Sequence, residues 1–164
     1  MNMTSYEEMF DEYVKSSAAY CASLFEATEY FFKANAALEA TIVSTNTAKT
    51  STIHSIQEYF ETCKISLIKT IDLLRTFQEI HTTIPGEQVE VDFAQQYFYI
   101  KKTLSCVEQI IQLFSTVRDD KNLQQQIWDN DDFTTYFTTS ADSISQAIIW
   151  QCNFAKRANL DESI

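Results

Sequence analysis

The chain of 164 residues holds one proline and one glycine, and they are neighbours, Pro85 and Gly86. Tight β-hairpins and phosphate-cradling loops rely on glycine where φ is positive, so a near-absence of glycine argues against both. A near-absence of proline leaves helices free to run uninterrupted everywhere but at that one point. Basic residues are scarce as well. Against 23 Asp and Glu stand 12 Lys and Arg, a net charge of −11. They are scattered, and the pairs Lys101-Lys102 and Lys156-Arg157 are too small to form patches. Such a balance disfavours phosphate backbones and anionic lipid, so no direct nucleic-acid binding is expected, and it would suit a partner with a basic surface. No apolar run approaches the roughly 18 residues of a membrane span. The opening MNMTSYEEMFDEY is acidic where a secretion leader is basic. The expectation is a cytoplasmic protein whose four cysteines are reduced.

What is present is apolar and aromatic: 45% hydrophobic residues, with 12 Phe and 8 Tyr. That content fits one domain over residues 1–164 with a single core. Apolar residues recur at alternating spacings of three and four, the mark of helices with one buried face. The first series is Phe10, Val14, Ser17, Cys21, Leu24, Thr28, Phe31, Asn35, Leu38 and Ile42, predicting a helix over about 4–43. The segment STNTAKTST breaks it with residues that favour caps over helix interiors.

A second helix, about 49–82, carries Ile53, Ile56, Phe60, Cys63, Leu67, Thr70, Leu74, Phe77 and His81, with Ile65, Ile68 and Ile71 widening the stripe. Pro85 and Gly86 stop it and make the turn. The third, about 90–118, has two adjacent stripes: Phe93, Tyr97, Ile100, Leu104, Val107, Ile111, Phe114, and Tyr99, Thr103, Cys106, Ile110, Leu113, Val117. A helix apolar around that much of its circumference is buried on more than one side or meets a partner, so homo-oligomerisation through it is open. A short helix at about 120–128 precedes a fourth long one, about 131–158. Asp131 or Asp132 caps that last helix, and its stripe is Phe133, Phe137, Ala141, Ile144, Ile148, Cys152 and Ala155. The predicted fold is an all-α, up-down-up-down four-helix bundle.

The residues that carry chemistry are few. Cys21, Cys63, Cys106 and Cys152 fall one per helix at spacings of 42, 43 and 46. Pairing helices 1 and 2 around a turn near residue 45 makes facing residue numbers add to about 91. This offsets Cys21 from Cys63 by on the order of 10 Å along the axis, too far for a shared metal or a disulfide. Cys63 and Cys106 come within about one turn of each other, and Cys152 is out of step. Neither His54 nor His81 follows a glutamate at the Glu-x-x-His spacing of di-iron bundles. Arg75 and His81 resemble the HEPN ribonuclease bundles in their Arg-x5-His spacing alone. Six helical residues turn His81 about 120° from Arg75, and Asp72 and Glu79 offer Arg75 ordinary surface pairs. Asp129 to Asp132 begin like a calcium loop, but Thr134 stands where the loop needs glycine. No catalytic residue, cofactor or metal is expected.

The expected function is therefore non-enzymatic: binding another protein as an adaptor, chaperone or inhibitor of the immunity-protein kind, with a basic partner as the narrower version. Phe98, Trp128 and Tyr59 are the candidate contacts, because each is an aromatic in an otherwise polar setting. The alternative is a bundle that holds or senses a small apolar ligand in a cavity lined by Ser17, Thr28, Asn35 and Thr70.

Overall fold

The computed structural model describes residues 5–43, 50–81, 87–116 and 131–162. They form four α-helices: α1 (Ser5–Val43), α2 (Thr50–His81), α3 (Glu87–Thr116) and α4 (Asp131–Glu162). There is no strand among the described residues. The Pro85–Gly86 turn, Trp128 and the expected short helix at 120–128 lie outside them. Two boundaries differ from the sequence reading. The α3 helix begins at Glu87 rather than near 90, since the chain re-enters helix directly after Gly86. The α4 helix continues to Glu162, through Ala158, Leu160 and Glu162, which are all good helix formers. None of the helices is long and apolar enough to cross a membrane.

The helices assemble as a four-helix bundle in which α1 packs on α2, α2 on α3, and α3 on α4. Contacts show each neighbouring pair to be antiparallel. Between α1 and α2, Tyr13 meets Phe77, Ala27 meets Cys63 and Phe31 meets Phe60, so facing numbers add to about 91 as the turn position predicts. Phe77 against Phe93 and Phe60 against Phe114 fix α2 on α3. Phe93 against Phe154 and Phe114 against Phe133 fix α3 on α4.

Buried positions follow two series per helix, each with a seven-residue step, the coiled-coil pattern. They are Tyr20–Ala27–Ala34 with Leu24–Phe31–Leu38 on α1, and Ile56–Cys63–Thr70–Phe77 with Phe60–Leu67–Leu74–His81 on α2. On α3 they are Phe93–Ile100–Val107–Phe114 with Gln96–Thr103–Ile110, and on α4 Phe133–Ser140–Ala147–Phe154 with Ile144–Gln151. For α2 the expected stripe is the observed one from Ile56 to His81, but Ile65 and Ile68 do not widen it and stand in solvent. On α1 one expected series is right (Leu24, Phe31, Leu38). The other is replaced by its neighbour, leaving Val14 exposed and Cys21 half-buried, and Phe10, at the head of the retained series, is exposed as well. On α4 the same thing happens, and Cys152 and Ala155 face solvent.

Aromatic rings gather at the two ends of the core. Phe77 is the hub of one end, with Tyr13, Tyr20, His81, Phe93 and Phe154 at centroid distances of 5.3 to 6.3 Å. At the other end Phe31, Phe60, Phe114, Phe133 and Phe137 form a linked chain. The waist between them is partly polar. There Ser23 Oγ and Thr70 Oγ1 lie 2.7 Å apart, and the Tyr20 hydroxyl donates to Gln96 Oε1. Because Phe77 joins rings from all four helices, Phe77→Ala is expected to lower the unfolding free energy by about 3–5 kcal/mol in urea titrations. Ile65→Ser, at the most exposed large apolar side chain (67%), is expected to change it by less than about 0.5 kcal/mol.

Candidate interaction surface

Several interior polar groups are occupied with one another or with the backbone. Thr70 Oγ1 reaches Ser66 O at 2.6 Å in addition to Ser23, and Thr28 Oγ1 donates to Leu24 O at 2.8 Å on its own helix. Gln57 Nε2 donates to Ser115 Oγ at 3.3 Å. Of the four residues expected to line a ligand cavity, Thr28 and Thr70 are thus bonded within the bundle, while Ser17 and Asn35 are half-buried at the α1 surface.

The four thiols are spread over three seams, with Cys21 and Cys152 sharing the one between α1 and α4. Cys63 is buried, donates to Ala27 O at 3.3 Å, and is pushed by burial up to about 12. Cys21 is half-buried and accepts from Gln151 Nε2 at 3.1 Å; burial raises it too, with the neighbouring Cys152 adding to the rise. Cys152 follows the residue that touches Cys21 and lies far along α4 from the level of Cys106, out of step with it as expected. Cys106, also raised by burial, instead faces Ser140 across the α3–α4 seam. Thiols raised in this way stay protonated near neutral pH and are poor nucleophiles and metal ligands. Among the described residues, no three His, Cys, Asp or Glu side chains come together as a metal set.

His81 is the last residue of α2 and is buried among rings. Tyr13, Phe93 and Phe154 lie at 5.3 to 5.6 Å from its centroid and Phe77 at 6.1 Å. The sequence register placed it beside Phe10; the structure puts Tyr13 there, one turn inward. Neither ring nitrogen has a hydrogen-bond partner, and burial lowers the imidazole pKa. Arg75 is turned away from it and pairs with Asp72 at 3.8 Å on the surface, which leaves the Arg-x5-His spacing without a shared site.

The large apolar side chains left outside are the positive feature. Phe98 is 55% exposed on the outer side of α3, where Lys102 Nζ lies 5.7 Å over its ring and Tyr99 meets it edge-on at 5.1 Å. Tyr59 is instead half-buried on the α1–α2 seam beside Tyr30, at 6.5 Å. Phe25, Phe32, Phe10 and Val14 on α1 and Ile149 on α4 are exposed and escaped the sequence reading. Phe10 and Val14 look like core in the pattern. Phe25 and Phe32, seven apart, were legible as a further apolar line.

No protein-family model, curated protein or solved structure matches this chain. The site is therefore defined by its own residues, a set of exposed aromatic and aliphatic side chains.

The cage around His81 generates a pH prediction. A folded-state pKa below the ordinary 6.5 means that the unfolded chain takes up the proton first. His81 thus contributes stability that is whole above about pH 6.5 and is lost as pH falls toward its folded value. His81→Phe is expected to remove this component. The thermal midpoint of the wild type should drop relative to the variant between pH 7.5 and 5. Parallel curves would show that the imidazole is not held neutral.

Proposed function

We propose that this protein is a non-enzymatic helical bundle that acts by binding another protein, as an adaptor, chaperone or inhibitor. The observation that carries the reading is the exposure of large apolar side chains, Phe98 on α3 and Phe25 and Phe32 on α1. Exposed aromatics are the residue type most enriched among interface anchors. Phe98 already has a cation over its ring, a geometry that a partner's aromatic or carboxylate can extend. Trp128 joins it on sequence grounds. Tyr59, half-buried against Tyr30, has less surface to offer.

The partner's surface is basic in this reading. The net charge of −11 supports that complementarity, which acts mainly through association rate and specificity. The test uses tagged protein to capture its partner from the native source. Phe98→Ser/Trp128→Ser is expected to weaken capture at least about tenfold while moving the thermal midpoint by less than about 2 °C. Affinity should fall steeply between low and high salt. Undiminished capture by the double variant removes these two contacts, and salt-insensitive binding removes the basic partner.

A further inference from the structure

The antiparallel packing of α1 and α4 brings two thiols from opposite ends of the chain, Cys21 and Cys152, to one seam. On α1 the placement is direct: Gln151 Nε2 of α4 donates to Cys21 Sγ at 3.1 Å, so that sulfur lies against α4. On α4 it follows from helix geometry. Phe133 and Phe154 mark the line of α4 that meets α3, and Phe137 and Gln151 the line that meets α1. Cys152 comes about 100° further round in the same sense, at a rise of about 1.5 Å from Gln151. It therefore stands on the border of α4 next to α1, and it is exposed there. Trp150, one residue the other side of Gln151, turns back toward α3. The two thiols are near enough for a charge on Cys152 to be felt at Cys21.

The sulfurs differ in what each can do. Cys152, being exposed, is the one that a dissolved disulfide meets first. Cys21 is half-buried, and burial holds its proton on, while the Gln151 amide opposes that by donating to the sulfur. A thiol is a weak acceptor and a thiolate a strong one, so this bond favours the form of Cys21 that attacks. The other two thiols are placed apart. Cys63 is enclosed against Ala27, and Cys106 faces Ser140, on the order of 18 Å along α4 from Cys152. The α1–α4 seam is also the one that the described helices close least tightly. It has room to draw in to the Cα spacing of about 4.4–6.8 Å that a disulfide needs.

We propose that Cys21 and Cys152 form a reversible disulfide that latches α4 to α1 when a small-molecule disulfide such as oxidised glutathione is in excess. The Cys152 thiolate attacks one sulfur of the oxidant, breaks its S–S bond and releases one glutathione thiolate. Cys21 then gives its proton to water and attacks the Cys152 sulfur of the mixed disulfide, and the second glutathione leaves as a thiolate. Two protein thiols are oxidised to one disulfide, and one glutathione disulfide is reduced to two thiols. The bond closes most of the chain into a loop, which restricts the unfolded state strongly. The latch stands independently of the protein-binding reading above.

Its test incubates the reduced full chain with oxidised glutathione and follows intact mass, free thiols and proteolytic peptides. The wild type should end lighter by the mass of two hydrogen atoms, with one cross-linked peptide pair that joins Cys21 to Cys152. Its thermal midpoint should rise by about 5 °C or more and return on reduction. Cys21→Ser should stop at a glutathione adduct on Cys152 and show no such rise. Cys152→Ser should react at least about tenfold more slowly than the wild type. A wild type that stops at the Cys152 adduct overturns the pairing. So does a dimer linked through Cys152, or a cross-link from Cys152 to Cys106. A Cys21–Cys152 bond that forms only in urea overturns the latch as well, because the folded seam is then not what brings the sulfurs together.

Discussion

The close approach of α1 to α2 is the constraint on which the remaining geometry depends. Ala27 and Ala34 have side chains so short that α2 comes within reach of the α1 backbone itself, and Cys63 Sγ donates to Ala27 O at 3.3 Å. Ser23 Oγ meets both Thr70 Oγ1, at 2.7 Å, and Ser66 O, at 3.3 Å. Small side chains on both partners let helices pack at the short end of the usual 8–10 Å interaxial range, where dispersion contacts are densest. The same hydroxyls would be left bare by a shift of one turn. A slip therefore costs the desolvation of buried polar groups as well as the loss of packing.

From that seam the layers follow. With α1 and α2 in register, Phe31 lies against Phe60 and Tyr13 against Phe77, so each aromatic end of the core already has rings from two helices. The α3 helix completes both ends through Phe93 and Phe114, and α4 through Phe154 and Phe133. Large rings at the ends and small or hydroxyl side chains at the waist give each level one fitting partner set. That is how a bundle without a disulfide among its described residues specifies one alignment. His81 belongs to this scheme as a ring rather than as a base: four aromatic rings surround it and its nitrogens have no partner.

Much of this is legible in the residues alone. The four helices, their order and the α1–α2 register come from period and turn position, since Pro85–Gly86 and the Ser/Thr/Asn segment near 45 leave only short connections. The buried face of α2 is legible because its stripe is apolar on one side and polar on the other. The rotations of α1 and α4 are not. On α1 two heptad series flank Leu24–Phe31–Leu38: Tyr13–Tyr20–Ala27–Ala34, and Val14–Cys21–Thr28–Asn35. Hydropathy ranks them about equally, and the structure selects the first because alanines permit the contact with α2. On α4 Ser140–Ala147 is selected over Ala141–Ile148 for the same reason, although the rejected series is the more apolar one. Steric fit to a neighbour decides here, and periodicity has no access to it. Of the exposed residues, Phe10 and Val14 are illegible for the related reason that they carry a core pattern on a surface face.

Both displaced series point the same way. Turning α1 toward α2 and α4 toward α3 carries Val14, Cys21, Ile148 and Cys152 out of the centre and onto the two walls of one seam. These residues lie along the seam that the described helices close least tightly. A bundle under selection for stability alone would replace these positions with polar residues, as it does at Glu26 and Lys33 on the same helix, because an apolar wall in water contributes nothing to folding and promotes association. The closeness of α1 to α2 and the openness of α1 to α4 are then two results of a single rotation.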